Sequence, residues 1–245
     1  MSVLYTKSLT KRFDGIIAVK DVDFSLKQGE IRGIIGPNGA GKTSFVNLLT
    51  GRLAPDSGQI VFQGVDITSQ PTWKRARLGI SYSFQITNIY SGLTVFENVA
   101  IGAQMRIQQS SKSGLPFDQK SNLEEIVDSC LSLTGLDGSR AQLAAELAYG
   151  HQRLLEIAIN LAVEPVLLIL DEPTQGLSVD EIEEFTDLLK GIRLNRTIIL
   201  IEHNLPFVMN LADRVTVMDQ GSILAENDPK AIQLDARVKA IYLGE

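Results

Sequence analysis

One short loop constrains this chain more than anything else in it. Gly36-Pro37-Asn38-Gly39-Ala40-Gly41-Lys42-Thr43, with Ser44 next, follows the pattern G-x-x-x-x-G-K-[ST]. A short apolar run, residues 31–35, stops at Gly36, and a helical pattern begins near Gly41. The glycines let the backbone curl so that successive N–H groups face a phosphate chain. The helix that follows adds its positive N-terminal end. In this pattern the lysine, Lys42, reaches the β- and γ-phosphates, and the hydroxyl of Thr43 binds Mg²⁺. A glycine-rich turn alone would need neither the full spacing nor the strand-loop-helix context, so a nucleoside triphosphate is the expected ligand.

The rest of the chain supplies a matching frame. Residues 3–9 and 19–26 alternate as strands do, and residues 59–62 follow the turn Pro55-Asp56-Ser57-Gly58 as another strand. Residues 166–170 and 197–201 are near-continuous apolar runs, as expected of strands buried on both faces. Residues 93–147 are different: the pattern is helical and no strand is clear. Residues 110–119 are its most loop-like stretch, and Ser121, with Glu124 three places on, reads as a capping box opening a helix. Helical segments are expected between and after the last two strands. The expected architecture is a mostly parallel, helix-covered sheet interrupted by a helical insert.

Bulk properties narrow the function. A length of 245 residues suits one large α/β domain or two smaller units sharing a core. The formal net charge of −6 argues against a broad electrostatic grip on nucleic acid. The only cysteine is Cys130, so no disulfide forms within the chain and a reducing compartment is expected. The N-terminus lacks the apolar core of a signal peptide. The longest apolar run, residues 166–170, is far short of the ~20 residues that span a bilayer, so a membrane role would require a partner.

The run 166–170 ends in Asp171-Glu172. Two acids at a strand end can be no more than a solvated terminus. Beside a phosphate loop they take on meaning, because open α/β sheets bind ligands at the carboxyl ends of their strands. Asp171 would hold Mg²⁺ through water, and Glu172 would polarise the water that attacks the γ-phosphate.

Leu147-Ala148-Tyr149-Gly150-His151-Gln152-Arg153 reads from its residues only as a loop and helix start. Placed shortly before Asp171-Glu172, it resembles the signature loop of ABC ATPases, usually written LSGGQ. The resemblance extends over nearly the whole chain. It implies the ABC-ATPase version of the P-loop NTPase fold: a RecA-like mixed sheet core with an antiparallel β edge. A helical subdomain, residues 86–158, is inserted within a single domain, residues 1–245. It implies that Gln85 is the Q-loop glutamine that senses Mg²⁺ and the attacking water. By the same resemblance His203 is the switch histidine on the γ-phosphate, Phe13 the aromatic that stacks on adenine, and Val19 part of the base pocket. From the residues alone, His203 reads as a cap or loop histidine, and a core phenylalanine is the alternative for Phe13. His151, Trp73 and Cys130 are read as incidental or packing residues.

Two positions depart from the family pattern. Ala148 replaces the signature serine, whose hydroxyl contacts the γ-phosphate held by the opposite subunit; a hydrogen bond of that kind is worth roughly 1.5–3 kcal/mol. Ser178 stands where many members carry the aspartate of the D-loop. Ser178-Val179-Asp180-Glu181 is also a capping box, and the two roles can coexist.

The resemblance implies two ATPase subunits sandwiching two ATP molecules, each closed by Leu147, Ala148, Tyr149, Gly150 and Gln152 of the opposite subunit. It further implies transmembrane permeases, a periplasmic or extracellular solute-binding protein, and a peripheral place on the cytoplasmic face of the plasma membrane. The segments IRGIIGPNGAGKTSFVNLLTG, SFQITNIYSGLTVFENV and VKAIYLGE, with the Tyr-Gly signature, resemble branched-chain amino acid importer ATPases. Urea and amide importers share this look, and the C-terminal segment also resembles the lipopolysaccharide-export ATPase. Two readings of other classes stand beside these: a soluble ABC ATPase of the iron–sulfur assembly type, and a regulatory ATP-binding module without turnover.

Overall fold

In the computed structural model, residues 2–83, 88–111, 119–193 and 196–243 are described. Two sheets form from strands whose burial patterns differ. In the first, β1 (Ser2–Phe13), β2 (Ile16–Lys27), β4 (Ser57–Phe62) and β5 (Val65–Asp66) run antiparallel in the order β2-β1-β4-β5. Residues 22–27 of β2 alternate buried and exposed, as a strand with one solvated face does, while along β1 the alternation is broken where the register shifts. In the second, β3 (Ile31–Ile35), β6 (Ile80–Ser83), β7 (Leu167–Asp171), β8 (Thr197–Ile201), β9 (Arg214–Asp219) and β10 (Ser222–Asn227) take the order β10-β9-β3-β8-β7-β6. All its pairings are parallel except β9 with β10.

Every residue of β3, β7 and β8 is buried, so these strands divide two cores between their faces. Leu168, Leu170, Ile198 and Leu200 face one core, and Leu167, Ile169, Ile199 and Ile201 face the other. The second core also takes Phe45, Val46 and Leu49 of α1 (Lys42–Thr50) and Leu4, Phe24 and Phe62 of the antiparallel sheet. The first is closed by helices, among them α3 (Val95–Ser111), α4 (Gln119–Leu133), α5 (Tyr149–Ala162), α6 (Val179–Ile192) and α7 (Leu205–Leu211). α2 (Thr72–Arg77) precedes β6, and α8 (Pro229–Leu234) and α9 (Ala236–Leu243) follow β10.

The strands expected at residues 3–9, 19–26, 31–35, 59–62, 166–170 and 197–201 all form. Among the described residues between β6 and β7 the named elements are helices, with a bridge from Thr94 to Leu143. Two expectations need correction. Of the helix expected to open at Ser121, Gln119–Leu133 is described, and residues 119 and 120 are already helical, so Ser121 lies within the helix and is not its cap. The stretch after β8, expected to be helical, contains the hairpin of β9 and β10 as well as helices. Its turn is Gln220-Gly221, both at positive φ (45° and 79°), between the paired Asp219 and Ser222. Two central residues at positive φ make a hairpin turn whose twist matches the strands.

Candidate functional site

The phosphate loop runs from the carboxyl end of β3 to the first turn of α1. Gly41 caps the helix at φ 98°, and a Cβ there would run into the carbonyl oxygen of Ala18 on β2. Only glycine meets both demands. α1 has no acidic residue in its first turn, so nothing of its own neutralises its N-terminal N–H groups. Lys42 is buried, and its ammonium donates to the carbonyls of Gly36 (2.7 Å) and Pro37 (3.1 Å). Burial lowers its pKa, against the opposing pull of Glu172 and Asp171. These residues floor a cleft of about 610 Å³ whose walls include Ile16, Ile17, Ala18, Asn38, Gly39, Ala40, Thr43, Ser44, Glu172 and His203.

The acid pair sits at the end of β7. Asp171 is buried, its Oδ2 accepts a hydrogen bond from the Tyr82 hydroxyl at 2.7 Å, and burial raises its pKa. Burial, with the Asp171 carboxylate next in importance, likewise keeps the Tyr82 hydroxyl protonated. Glu172 breaks out of the strand into the left-handed region at φ 47°, an uncommon conformation for a residue with a Cβ. Its N–H is held by the Ile201 carbonyl at 2.8 Å. From there its carboxylate meets His203: Nε2 lies 3.0 Å from Oε1.

Three further side chains hold this geometry, and none was singled out from the sequence. Arg153 of α5 is buried and donates to the carbonyls of Asp171 (3.0 Å) and Glu172 (3.3 Å), while pairing with Glu156 at 2.8 Å. Glu202 is buried and accepts from the backbone N–H (2.8 Å) and hydroxyl (2.7 Å) of Thr174 with one oxygen, and from the N–H groups of His203 (3.0 Å) and Asn204 (3.2 Å) with the other. It ties the loop after Glu172 to the loop carrying His203. Tyr82 is the third. No local pattern could have revealed these roles, because the bonds from Arg153 to Asp171 and Glu172, from Glu202 to Thr174 and from Tyr82 to Asp171 join elements far apart in sequence.

Two base-pocket expectations fare differently. Val19 is fully buried and packs into the second core, so it offers no surface to a ligand; Ile16, Ile17 and Ala18 line the cleft instead. The register of the β1–β2 pairing shifts along this stretch, and Val19 is turned into the core. Phe13 is 42% exposed at the end of β1, with Lys11 Nζ 5.5 Å from its ring centroid. It is not a core residue. Gln85 lies outside the described residues.

The signature segment is elsewhere. Leu147 is buried, Ala148 caps α5, Tyr149 is 46% exposed and Gly150 is buried. A Cβ on Gly150 would collide with the Glu181 carboxylate. Glu181 in turn completes the capping box with Ser178, accepting from the Ser178 N–H at 2.7 Å, so the expected cap forms. Tyr149 lies over Gly176, which is at φ 80°. Gln152 turns its amide back to the Leu147 carbonyl at 3.0 Å. His151, read as incidental, occupies the fifth place of a signature laid from Leu147 and is exposed on the first turn of α5. Among the described residues, the lining of the phosphate cleft takes none of residues 147–152.

The ABC transporter family profile matches residues 19–175, from β2 through the acid pair to the loop that Glu202 secures. The chain belongs to the ABC transporter family. This ABC cassette is an ATPase subunit that binds ATP. It is homologous to LivG of Salmonella typhimurium, a high-affinity branched-chain amino acid transport ATP-binding protein. They are 36% identical over 250 residues, covering 99% of this chain and 98% of LivG. BraF of Pseudomonas aeruginosa, with the same description, is 35% identical over the same shares. An ATP-binding cassette of an ABC transporter solved in its ADP conformation superposes with a TM-score of 0.87 at 29% identity, covering 100% of both chains. The cassette cbiO1 of Clostridium perfringens, part of the transporter complex cbiONQ, gives 0.83 at 28% identity, covering 99% of this chain and 96% of its own. Among the described residues, no helix of the cassette is long and apolar enough to cross a membrane.

Proposed function

We propose that this cassette energises the import of branched-chain amino acids, as one of two ATPase subunits on the cytoplasmic face of a membrane permease. The observation that carries the ATPase mechanism is the Glu172–His203 pair at 3.0 Å, set on a left-handed backbone beside the phosphate loop. The solute rests on the descriptions of LivG and BraF over nearly full length.

In this reading the backbone of Gly36, Pro37, Asn38, Gly39, Ala40 and Gly41, with Ser44 at the helix start, cradles the phosphates. Lys42 exchanges its loop carbonyls for β- and γ-phosphate oxygens. The hydroxyl of Thr43 and the carboxylate of Asp171 are hard oxygen donors of the kind Mg²⁺ takes alongside water and phosphate, and Gln85 joins them. The ion, when bound, neutralises charge that develops on the phosphates. Glu172 accepts the proton of the attacking water, and His203 steadies Glu172 and contacts the γ-phosphate. Strain at Glu172 serves to aim it. Phe13 offers its exposed ring face to adenine.

The site is half of a two-subunit site. Leu147, Ala148, Tyr149 and Gly150 would close on the ATP of a second ABC ATPase subunit, with His151, more than the inward-turned Gln152, supplying the polar side chain. The helical segment near residues 86–158 would move with the signature loop as a lobe. Closure on ATP and opening after hydrolysis convert differential nucleotide affinity into motion. The permease would receive that motion at a second cleft, of about 260 Å³, lined by Arg52, Ala76, Tyr82 and Met105 among others. A periplasmic or extracellular solute-binding protein completes the importer.

The test is phosphate release by wild type and by Glu172→Gln, each assembled with its permease. The reading expects turnover in the wild type and near silence in the variant. Equal silence in both would sink the motor and leave an ATP-binding regulator.

A further inference from the structure

Strand pairing sets Tyr82 of β6 opposite Ile169 of β7, and the tyrosine hydroxyl reaches on to Asp171 Oδ2 at 2.7 Å. The ring of the same side chain lies under the Arg52 guanidinium, 4.4 Å from its centroid. Arg52 and Tyr82 both line the cleft of about 260 Å³. Tyr82 therefore touches the carboxylate at the end of β7 with its hydroxyl and the cleft with its ring.

A carboxylate held by one oxygen has a fixed rotamer and presents its other oxygen in a fixed direction. A neutral donor does this without cancelling the charge that attracts a cation. Outer partners of this kind are worth about ten- to a hundredfold in metal affinity. A guanidinium stacked on the ring fixes the other end of the lever. We propose that Tyr82 is a positioning residue: its hydroxyl aims the Asp171 carboxylate at the nucleotide's metal, and Arg52 makes that aim sensitive to what fills the cleft. This rests on the reading of Asp171 as the magnesium-holding residue.

The experiment uses Mn²⁺ as the probe, followed by electron paramagnetic resonance with the full-length subunit saturated with ADP. Tyr82→Phe keeps the ring and removes the hydroxyl. It should weaken Mn²⁺ binding about tenfold and leave ADP affinity in EDTA unchanged. Asp171→Asn should lose Mn²⁺ binding, and adding Tyr82→Phe to it should cost nothing more, since the two act as one unit. Arg52→Met should weaken Mn²⁺ binding about two- to threefold. Wild-type Mn²⁺ affinity in Tyr82→Phe, with Asp171→Asn impaired, would overturn the role of Tyr82 and leave that of Asp171 standing. Wild-type Mn²⁺ affinity in Asp171→Asn would remove the reading on which the proposal rests. A parallel loss of ADP affinity in EDTA would show Tyr82 to be a packing residue. An unchanged Arg52→Met would sever the link to the cleft.

Discussion

The phosphate cleft and the signature segment are built on opposite plans. Around the cleft, side chains are fastened about a space that a ligand can enter: Lys42 on the carbonyls of its own loop, Glu172 on His203, Glu202 on two loops at once. The signature segment spends its contacts on packing against the loop and helix that follow the acid pair, and on itself. Gly150 makes room for Glu181, Tyr149 covers Gly176, and Gln152 bonds back to Leu147. Its outward face, Ala148, Tyr149 and His151, is exposed. One half is thus organised to act on a ligand, and the other is stiffened to be presented to something else. The difference teaches that binding and hydrolysis need not be completed by the same chain.

That contrast can be broken or sharpened by substitution. The largest effect is expected from Glu172→Gln, which should lower turnover about 10²–10⁴-fold, the range for loss of a general base, while ATP binding persists in equilibrium dialysis. A matching loss of binding would mean that Glu172 organises the cleft as a whole. Ala148→Ser restores the signature hydroxyl, and phosphate release by the assembled transporter should rise about tenfold or more. No rise would show that the missing contact never limits the cycle. Phe13→Ala should weaken ATP binding by roughly fivefold, corresponding to about 1 kcal/mol of stacking, as read by isothermal calorimetry. Gly150→Ala forces Glu181 out of its capping box. It should cost about 1 kcal/mol of stability, the worth of a cap, seen as a lowered thermal midpoint. ATP affinity of the isolated subunit should be untouched by it, because the lesion is on the other half.

The phosphate loop and the acid pair were legible in the sequence because each is a local pattern at a strand end. The buried strands were legible because their apolar runs are nearly continuous. The β9–β10 hairpin was missed although its turn, Gln220-Gly221, is a short-range signal between two strand patterns. Val19, read as a base-pocket residue, is buried in the core, because the face a residue of β2 takes is set by a pairing whose register shifts and which the sequence does not display. His151 was passed over although counting from Leu147 puts it at the end of the signature. Tyr82, Arg153 and Glu202 carry no local signature at all. Their importance lies in bonds to Asp171, to the carbonyls beyond it and to Thr174, which only the fold brings near.

The most direct test of the two-subunit account is phosphate release per subunit across a dilution series, with the fraction of ATPase dimer followed in parallel by sedimentation. Where the partner ATPase is a different chain, both are diluted together. Hydrolysis should track the dimer fraction, while ATP binding per subunit stays constant through the transition. Full hydrolysis by the monomer would contradict it, because the site would then need no signature loop but its own.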